Sequence, residues 1–363
     1  MRLRGCFRVL FLYDVAEAID SEKLRDLLGP RGGTVRRAFP RRTPEYVRFE
    51  QPPIVEPAQS IDLASGERVL CSIKYYPFAV VVLQLEAPFE CDWDELVTQA
   101  SRWTDASDVE PYAREIVRQH LERLKTAVVR PMNDWLIEDY LAINVEQIES
   151  PGGKALSATE LLSTYGRQIA QSVRGEVTPL ASSVAEEVLQ SSLSYYNSDL
   201  VVIGSSGALI YDRGEDAAAT NQVLEYAKMQ LLEFRYYDGM MTRLLSEVYS
   251  VLEQRRNAVL SRWSIPRAAQ RFNTVRLDVM ELTERIDNAI KFVSDIYYAR
   301  LYHLAATRMG VPDYRGLVDE KLRTVSELYD VMIEQFNEAR NFVVEFAIAV
   351  LCLLDVIFLL RFR

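Results

Sequence analysis

Chemistry that needs an imidazole has to draw on His120 or His303, the two histidines of this 363-residue chain. Neither lies in a recognisable motif. HExxH and paired CxxC are both absent, and with them the donor spacing of a zinc site. The four cysteines, Cys6, Cys71, Cys91 and Cys352, are scattered, which argues against a disulfide framework and suits a reducing compartment. Gly204-Ser205-Ser206-Gly207 has the small residues of a phosphate loop but lacks the GxxxxGK[ST] lysine. It runs into the strand-like Ala208–Tyr211, so a hairpin turn is expected there. GxSxG is absent as well. No catalytic residue, cofactor or metal is expected, and the chain reads as non-enzymatic.

Two further clusters carry charge. Arg31, Arg36, Arg37, Arg41 and Arg42 place five arginines within twelve residues. They form a possible anion-binding loop for lipid headgroups or nucleic-acid phosphates, or else a solvated loop. Leu231–Asp238 gathers Glu233, Arg235 and Asp238 with Phe234, Tyr236 and Tyr237 on one helix. Glu233 and Tyr237 are four apart, as are Phe234 and Asp238. That stretch is a contact patch for another helix or ordinary interhelical packing. A net charge of −10 argues against general nucleic-acid binding, which needs a basic footprint. Hydrophobic residues at 49% and charged residues at 26% are the proportions of an ordered chain long enough for two or three domains.

The elements that would position these residues can be read in order. Residues 5–13 predict a strand, and Ser21–Leu28 a helix with Ser21 as its cap. Val69–Leu85 predicts two strands interrupted near Pro77. Asp92–Trp103 and Val109–Thr126 read as helices, and Trp135–Ile148 as a strand. The apolar stretch Val9–Tyr13 is too short for a signal-peptide core, so no export is expected. Together residues 1–150 predict a compact α+β domain, with a ferredoxin-like arrangement favoured over a doubly wound one. Pro151-Gly152-Gly153 marks a boundary. Residues 151–216 then read as a connector: helix over Ala158–Gln190, broken near Pro179, and a hairpin of Leu200–Ile203 with Ala208–Tyr211.

Residues 217–341 predict long helices, at about 217–255, 268–308 and from 313 onward. The series Val318, Leu322, Val325, Tyr329, Met332, Phe336, Ala339, Val343 alternates steps of four and three. So does Phe272, Val275, Val279, Leu282, Ile286, Ala289, Val293, Ile296. Such alternation predicts left-handed helix packing, with the partner helix in the same chain or in another copy.

Phe342–Leu360 is 19 residues, 17 of them apolar. As a helix it is roughly 28 Å long, close to the hydrocarbon thickness of a bilayer. A single membrane span is expected, with Arg340, Arg361 and Arg363 at its ends. Glu345 and Asp355 interrupt the run. On a helical wheel Glu345, Ala349, Cys352 and Val356 share a stripe with Asp355 on its flank, the face expected to meet another helix in lipid.

The run from Glu345 to Ile357 resembles the terminal anchor of the "required for meiotic nuclear division" family, with its acidic-aromatic start and a second acid ten positions on. Ile169–Val173 and Val9–Asp14 resemble other stretches of it. Leu231–Asp238 and the segment Asp199–Asp212 depart from its pattern. The resemblance implies a membrane-anchored protein with a soluble α+β part, oligomeric coils and no assigned catalysis.

The sequence therefore predicts an α+β domain, a long-helix bundle or coiled coil, and a C-terminal transmembrane helix. The expected function is a membrane-anchored scaffold that contacts membrane lipid and self-associates as a homo-oligomer, with its bulk in the cytoplasm or an equivalent reducing compartment. The alternatives are a soluble assembly subunit with the terminal helix buried between chains, or a ligand-binding or enzymatic N-terminal domain.

Overall fold

The computed structural model describes residues 1–29, 32–34, 53–62, 68–149, 156–212, 215–254, 277 and 296–361. These form a mixed α+β chain that divides into two compact units. The first comprises Met1–Tyr236 with Arg285–Tyr314, the second Tyr237–Glu284 with Arg315–Arg363.

The first unit is built on one mixed sheet. Its strands are β1 (Arg2–Ile19), β2 (Gly33–Thr34), β3 (Ile54–Asp62), β4 (Arg68–Tyr75), β5 (Val80–Cys91), β6 (Val128–Glu149), β7 (Ser192–Leu193), β8 (Leu200–Ile203) and β9 (Gly207–Tyr211). Their spatial order is β2-β3-β4-β5-β1-β6-β9-β8-β7. β1 lies between two antiparallel neighbours, β5 and β6, while β6 pairs in parallel with β9. The ferredoxin-like expectation is thereby corrected. A split βαβ unit needs parallel crossovers, but here β3, β4 and β5 form an antiparallel meander that lays β5 against β1. The expected hairpin over Leu200–Tyr211 is present, and it extends this same sheet.

Helices α1 (Ser21–Leu28), α2 (Trp93–Thr104), α3 (Glu110–Arg123), α4 (Ala158–Arg174) and α5 (Ser182–Leu189) contribute to the core on one sheet face. Local chemistry sets their ends. Asp20, rather than the expected Ser21, caps α1 by accepting from the N–H groups of Glu22 and Lys23. Asp92 does the same for α2. Ser157 and Glu160 form a capping box on α4, which ends at Gly175 with φ of 71°. Alternate β1 residues Phe7, Val9, Phe11 and Tyr13 meet Leu24, Leu96, Trp103, Val117 and Ile169 in this core.

Leu10, Leu12 and Asp14 alternate with those residues and are also buried, on the opposite face. Here α6 (Glu215–Gln254) runs over the sheet, its residues up to 236 lying in the first unit. α7 (Ile296–Met309) joins this layer, its Tyr302 hydroxyl donating to Gln230 of α6.

In the second unit the rest of α6 accompanies α8 (Val311–Arg361) from residue 315 on. Lys321 of α8 donates to the Asp238 carboxylate at 2.5 Å and the Thr242 hydroxyl at 2.7 Å. Val318 and Val325, seven residues apart in the heptad series, are buried, as are Met241 and Leu244 of α6. For this part of the series, then, the partner helix belongs to the same chain. α8 continues unbroken through residues 342–360. The expected membrane span finds no support there: among the described residues, no helix is long and apolar enough to cross a membrane.

Candidate functional site

Buried ionisable side chains concentrate in two places among the described residues. The larger lies between α6 and the sheet. Asn221, Glu225, Lys228 and Arg235 follow one another on α6 at steps of four, three and seven, which puts them on one stripe. Their partners stand on the sheet face beneath. Asn221 donates to the Asn144 side chain of β6 at 2.6 Å. Glu225 accepts from Lys74 of β4 and, at 2.7 Å, from the Tyr76 hydroxyl. Lys228 lies 2.8 Å from Glu138 of β6, which also accepts from Arg235. Glu138 and Asn144 are six apart on the strand and so share a face.

Little of this network meets water. Lys228 and Glu138 keep 7% and 6% of their side-chain surface, and Glu225 keeps 3%. Burial pulls the Lys228 ammonium down to about 8, against the opposing pull of the Asp139 carboxylate. Asp14 is on the same face, two residues beyond Leu12, which sits opposite Glu138. Burial pushes its carboxyl up to about 7. With so little surface open, a substrate has no route to Lys228. What the arrangement does is fix the docking register of α6.

The second cluster lies where α3 meets the sheet on the other face. The buried Glu56 carboxylate of β3 sits 2.5 Å from His120 Nδ1, and accepts from the Tyr75 hydroxyl at 2.6 Å and from Arg123 at 3.1 Å. Burial alone would raise this carboxyl. The His120 and Tyr75 hydrogen bonds and the His120 and Arg123 charges outweigh it and hold the group below its usual range. A carboxylate on Nδ1 fixes the imidazole orientation and leaves Nε2 as the nitrogen available for a proton or ligand.

Other sequence-predicted residues disperse. Glu345, Ala349 and Cys352 lie exposed on α8. Asp355 and Val356 belong to the same helix, with their side chains outside the described ones. The arginines at 31, 36, 37, 41 and 42 also fall outside the described residues. Leu231–Asp238 is a site of intrachain packing, with Arg235 turned to β6 and Asp238 to Lys321. His303 is on α7 beside Arg300, Leu304 and Thr307, along an open depression of about 530 Å³. Burial pushes the Cys6 and Cys71 thiols to about 11 and Cys91 to about 12, so all three are protonated at neutral pH. Sequence reading missed Glu56, Glu138, Glu225 and Lys228. The signal for the last two was a charge pair three apart inside the otherwise apolar stretch Val223–Met229.

Residues 4–217 match the family described as "Uncharacterized protein MJ0711, N-terminal domain". The chain belongs to this family. The matched span holds nearly the whole sheet and α1–α5 but only the first three residues of α6, and both Glu56 and Glu138 fall inside it. The chain is similar to "Uncharacterized protein MJ0711" of Methanocaldococcus jannaschii, 23% identical over 185 residues, which cover 51% of this chain. The match covers 56% of that relative's length. No solved structure matches. The resemblance to the "required for meiotic nuclear division" family is corrected accordingly. It rested mainly on an apolar helix with two spaced acids, whereas the matched family lies over the α+β part and stops well short of that helix.

Proposed function

We propose that this chain is a non-enzymatic scaffold, held at a membrane by the Phe342–Leu360 segment of α8 and self-associating through its C-terminal helices. One observation carries the reading. Val344, Ile348, Val350, Leu351 and Ile357 are all 40% or more exposed. At 100° per residue these five cover half of the helix circumference, and the exposed Ala349 and Cys352 fall in the other half, so the exposed apolar surface is not a single stripe. One partner helix covers one stripe; lipid covers the whole circumference. Glu345, Ala349 and Cys352 are the candidates for the face that meets a second copy. The bulk of the chain would then sit in the cytoplasm or an equivalent reducing compartment.

The test is membrane fractionation with an alkaline carbonate wash, comparing the full chain with one ending at Arg340. Retention of the full chain and release of the shortened one is the expected result. Release of both favours a soluble assembly in which this helix is buried between chains.

A second reading, ligand binding by the α+β unit, is favoured by the Glu56–His120 pair. A thermal shift of the full chain by a small anionic or proton-donating ligand, abolished in His120→Ala, would support it.

A further inference from the structure

We propose that His120 and Arg123, both held by Glu56, form a binding site for a proton-bearing phosphate group, either inorganic phosphate or a small phosphomonoester. The inference rests on the second reading above, ligand binding by the α+β unit, and names the ligand class.

The contacts fix the imidazole tautomer. The Glu56 carboxyl is held below its usual range, so at neutral pH it is ionised and has no hydrogen to give. Its 2.5 Å contact with His120 Nδ1 therefore requires the hydrogen to be on the nitrogen. Arg123 lies 2.9 Å from the same nitrogen, but it also donates to Glu56. With Nδ1 protonated, Nε2 of the neutral ring is an acceptor.

That acceptor faces outward. Among the described residues Nε2 has no hydrogen-bond partner, and it is not one of their buried orphan atoms. His120 keeps 13% of its side-chain surface and Arg123 keeps 49%. Glu56 engages one amine of Arg123, which leaves the other N–H donors of the fork for an anion. A clamp that only tied the end of α3 to β3 would need Nδ1 and the guanidinium. It would not need an acceptor open to water beside a cation.

A ligand that suits both groups offers an O–H to Nε2 and a charged oxygen to Arg123. Phosphate and phosphomonoesters carry both on one tetrahedral centre. Sulfate has the same shape and no O–H at neutral pH, so it sets a lone pair against Nε2. Leaving that acceptor unmatched weakens binding about ten- to a hundredfold.

The experiment is nuclear magnetic resonance of the full chain with nitrogen-labelled histidine. It is titrated at neutral pH with sodium phosphate, with glycerol 3-phosphate and, at matched ionic strength, with sodium sulfate. His303, the other histidine, is the internal control. The His120 Nδ1 signal is expected in the protonated range. Phosphate should move the Nε2 signal saturably, with sulfate needing at least about ten times the concentration. Tighter binding of glycerol 3-phosphate identifies a monoester as the ligand, and tighter binding of inorganic phosphate identifies the free ion. Arg123→Gln should lose the response with the His303 signals unmoved, which shows that the chain is still folded. An unprotonated Nδ1, equal responses to phosphate and sulfate, or equal movement of His303 overturns the proposal. So does a silent titration with both phosphates. In that case a thermal shift by another ligand, absent in His120→Ala, leaves the ligand-binding reading standing, and no shift by any ligand removes that reading too.

Discussion

Replacing Glu138 by leucine separates the two cations that share it. Arg235 keeps 37% of its side-chain surface and can turn to water. Lys228 keeps 7% and cannot. Breaking one side of a buried pair costs about 3–5 kcal/mol. Deprotonation sets the upper limit, because an unpaired lysine can surrender its proton. Folded Lys228 already sits at about 8, so giving the proton up costs about 1.4 kcal/mol relative to wild type at pH 7 and almost nothing at pH 9. Glu138→Leu is therefore expected to destabilise the first unit by about 1–2 kcal/mol at pH 7, with the deficit nearly gone at pH 9. Urea unfolding followed by tryptophan fluorescence reads this directly, since Trp93 and Trp103 are buried in that unit's core and Trp135 packs against it. Glu138→Leu/Lys228→Met, which removes the stranded charge, should return to within about 1 kcal/mol of wild type. A single variant as stable as wild type at pH 7, a deficit unchanged at pH 9, or a double variant no better than the single would refute the reasoning.

Three further outcomes follow from the same geometry. Asp14 ionises near 7 when folded against an ordinary 3.8, so the folded chain holds its proton more tightly, and stability falls as pH rises from about 4 to 7. Asp14→Asn should match the wild type at pH 3.5 and exceed it at pH 8 by at most about 4 kcal/mol, read from urea midpoints. Glu56 has the opposite sign: its contribution is present above the ordinary carboxylate range and is lost as pH falls through its lowered folded value. Glu56→Gln should cost about 1–3 kcal/mol at pH 7 and nothing in strong acid, checked by thermal unfolding at both pH values. At Gly5 an added Cβ would lie 1.9 Å from the Asn144 carbonyl oxygen. Gly5→Ala should therefore cost more than about 4 kcal/mol or prevent folding, measured by circular dichroism and soluble yield.

Where periodicity and breakers carried the information, the sequence was legible. Ser21–Leu28 is a helix over exactly those residues, Pro77 falls between β4 and β5, and the glycines at 204 and 207 bracket the turn before β9. Strand order was not legible. Nothing local in residues 5–13 says that Leu10 faces Gln84 on one side and Tyr140 on the other. Those pairings are decided by burial on both faces at once, with Leu10 on one face and Phe11 on the other. The candidate site was less legible still. Glu56, His120 and Tyr75 come from three elements far apart in sequence, and only the register of β3 on β4, together with α3 above them, brings them within hydrogen-bonding distance. Leu231–Asp238 reads as a contact patch for another helix or as interhelical packing; Asp238 meets Lys321 on α8, while Arg235 reaches Glu138 on the sheet, a partner that helical spacing does not name.

The two faces of the sheet also differ in what specifies their covers. On the face carrying α1–α5 the Glu56 cluster pins α3, but the contacts that seat α2 and α4, such as Phe7 with Trp103 and the stack of Trp93 on Tyr165, are apolar, and apolar packing of that kind tolerates rearrangement. Beneath α6 the apolar residues Val223, Leu224, Ala227 and Leu232 supply burial in the same way. Burial of that kind tolerates a slide of one helical turn, about 5.4 Å. The polar pairs do not. A one-turn slide would leave Glu225 without Lys74 and Tyr76, and Lys228 without Glu138, two charges stranded at several kcal/mol each. The ion pairs add little net stability over an apolar interface of the same shape, but they separate the native register of α6 from its neighbours by more than the apolar contacts can. The Glu138→Leu/Lys228→Met chain tests this distinction: it should remain folded and stable, yet show α6 amide hydrogens exchanging faster than in the wild type as the helix samples neighbouring registers.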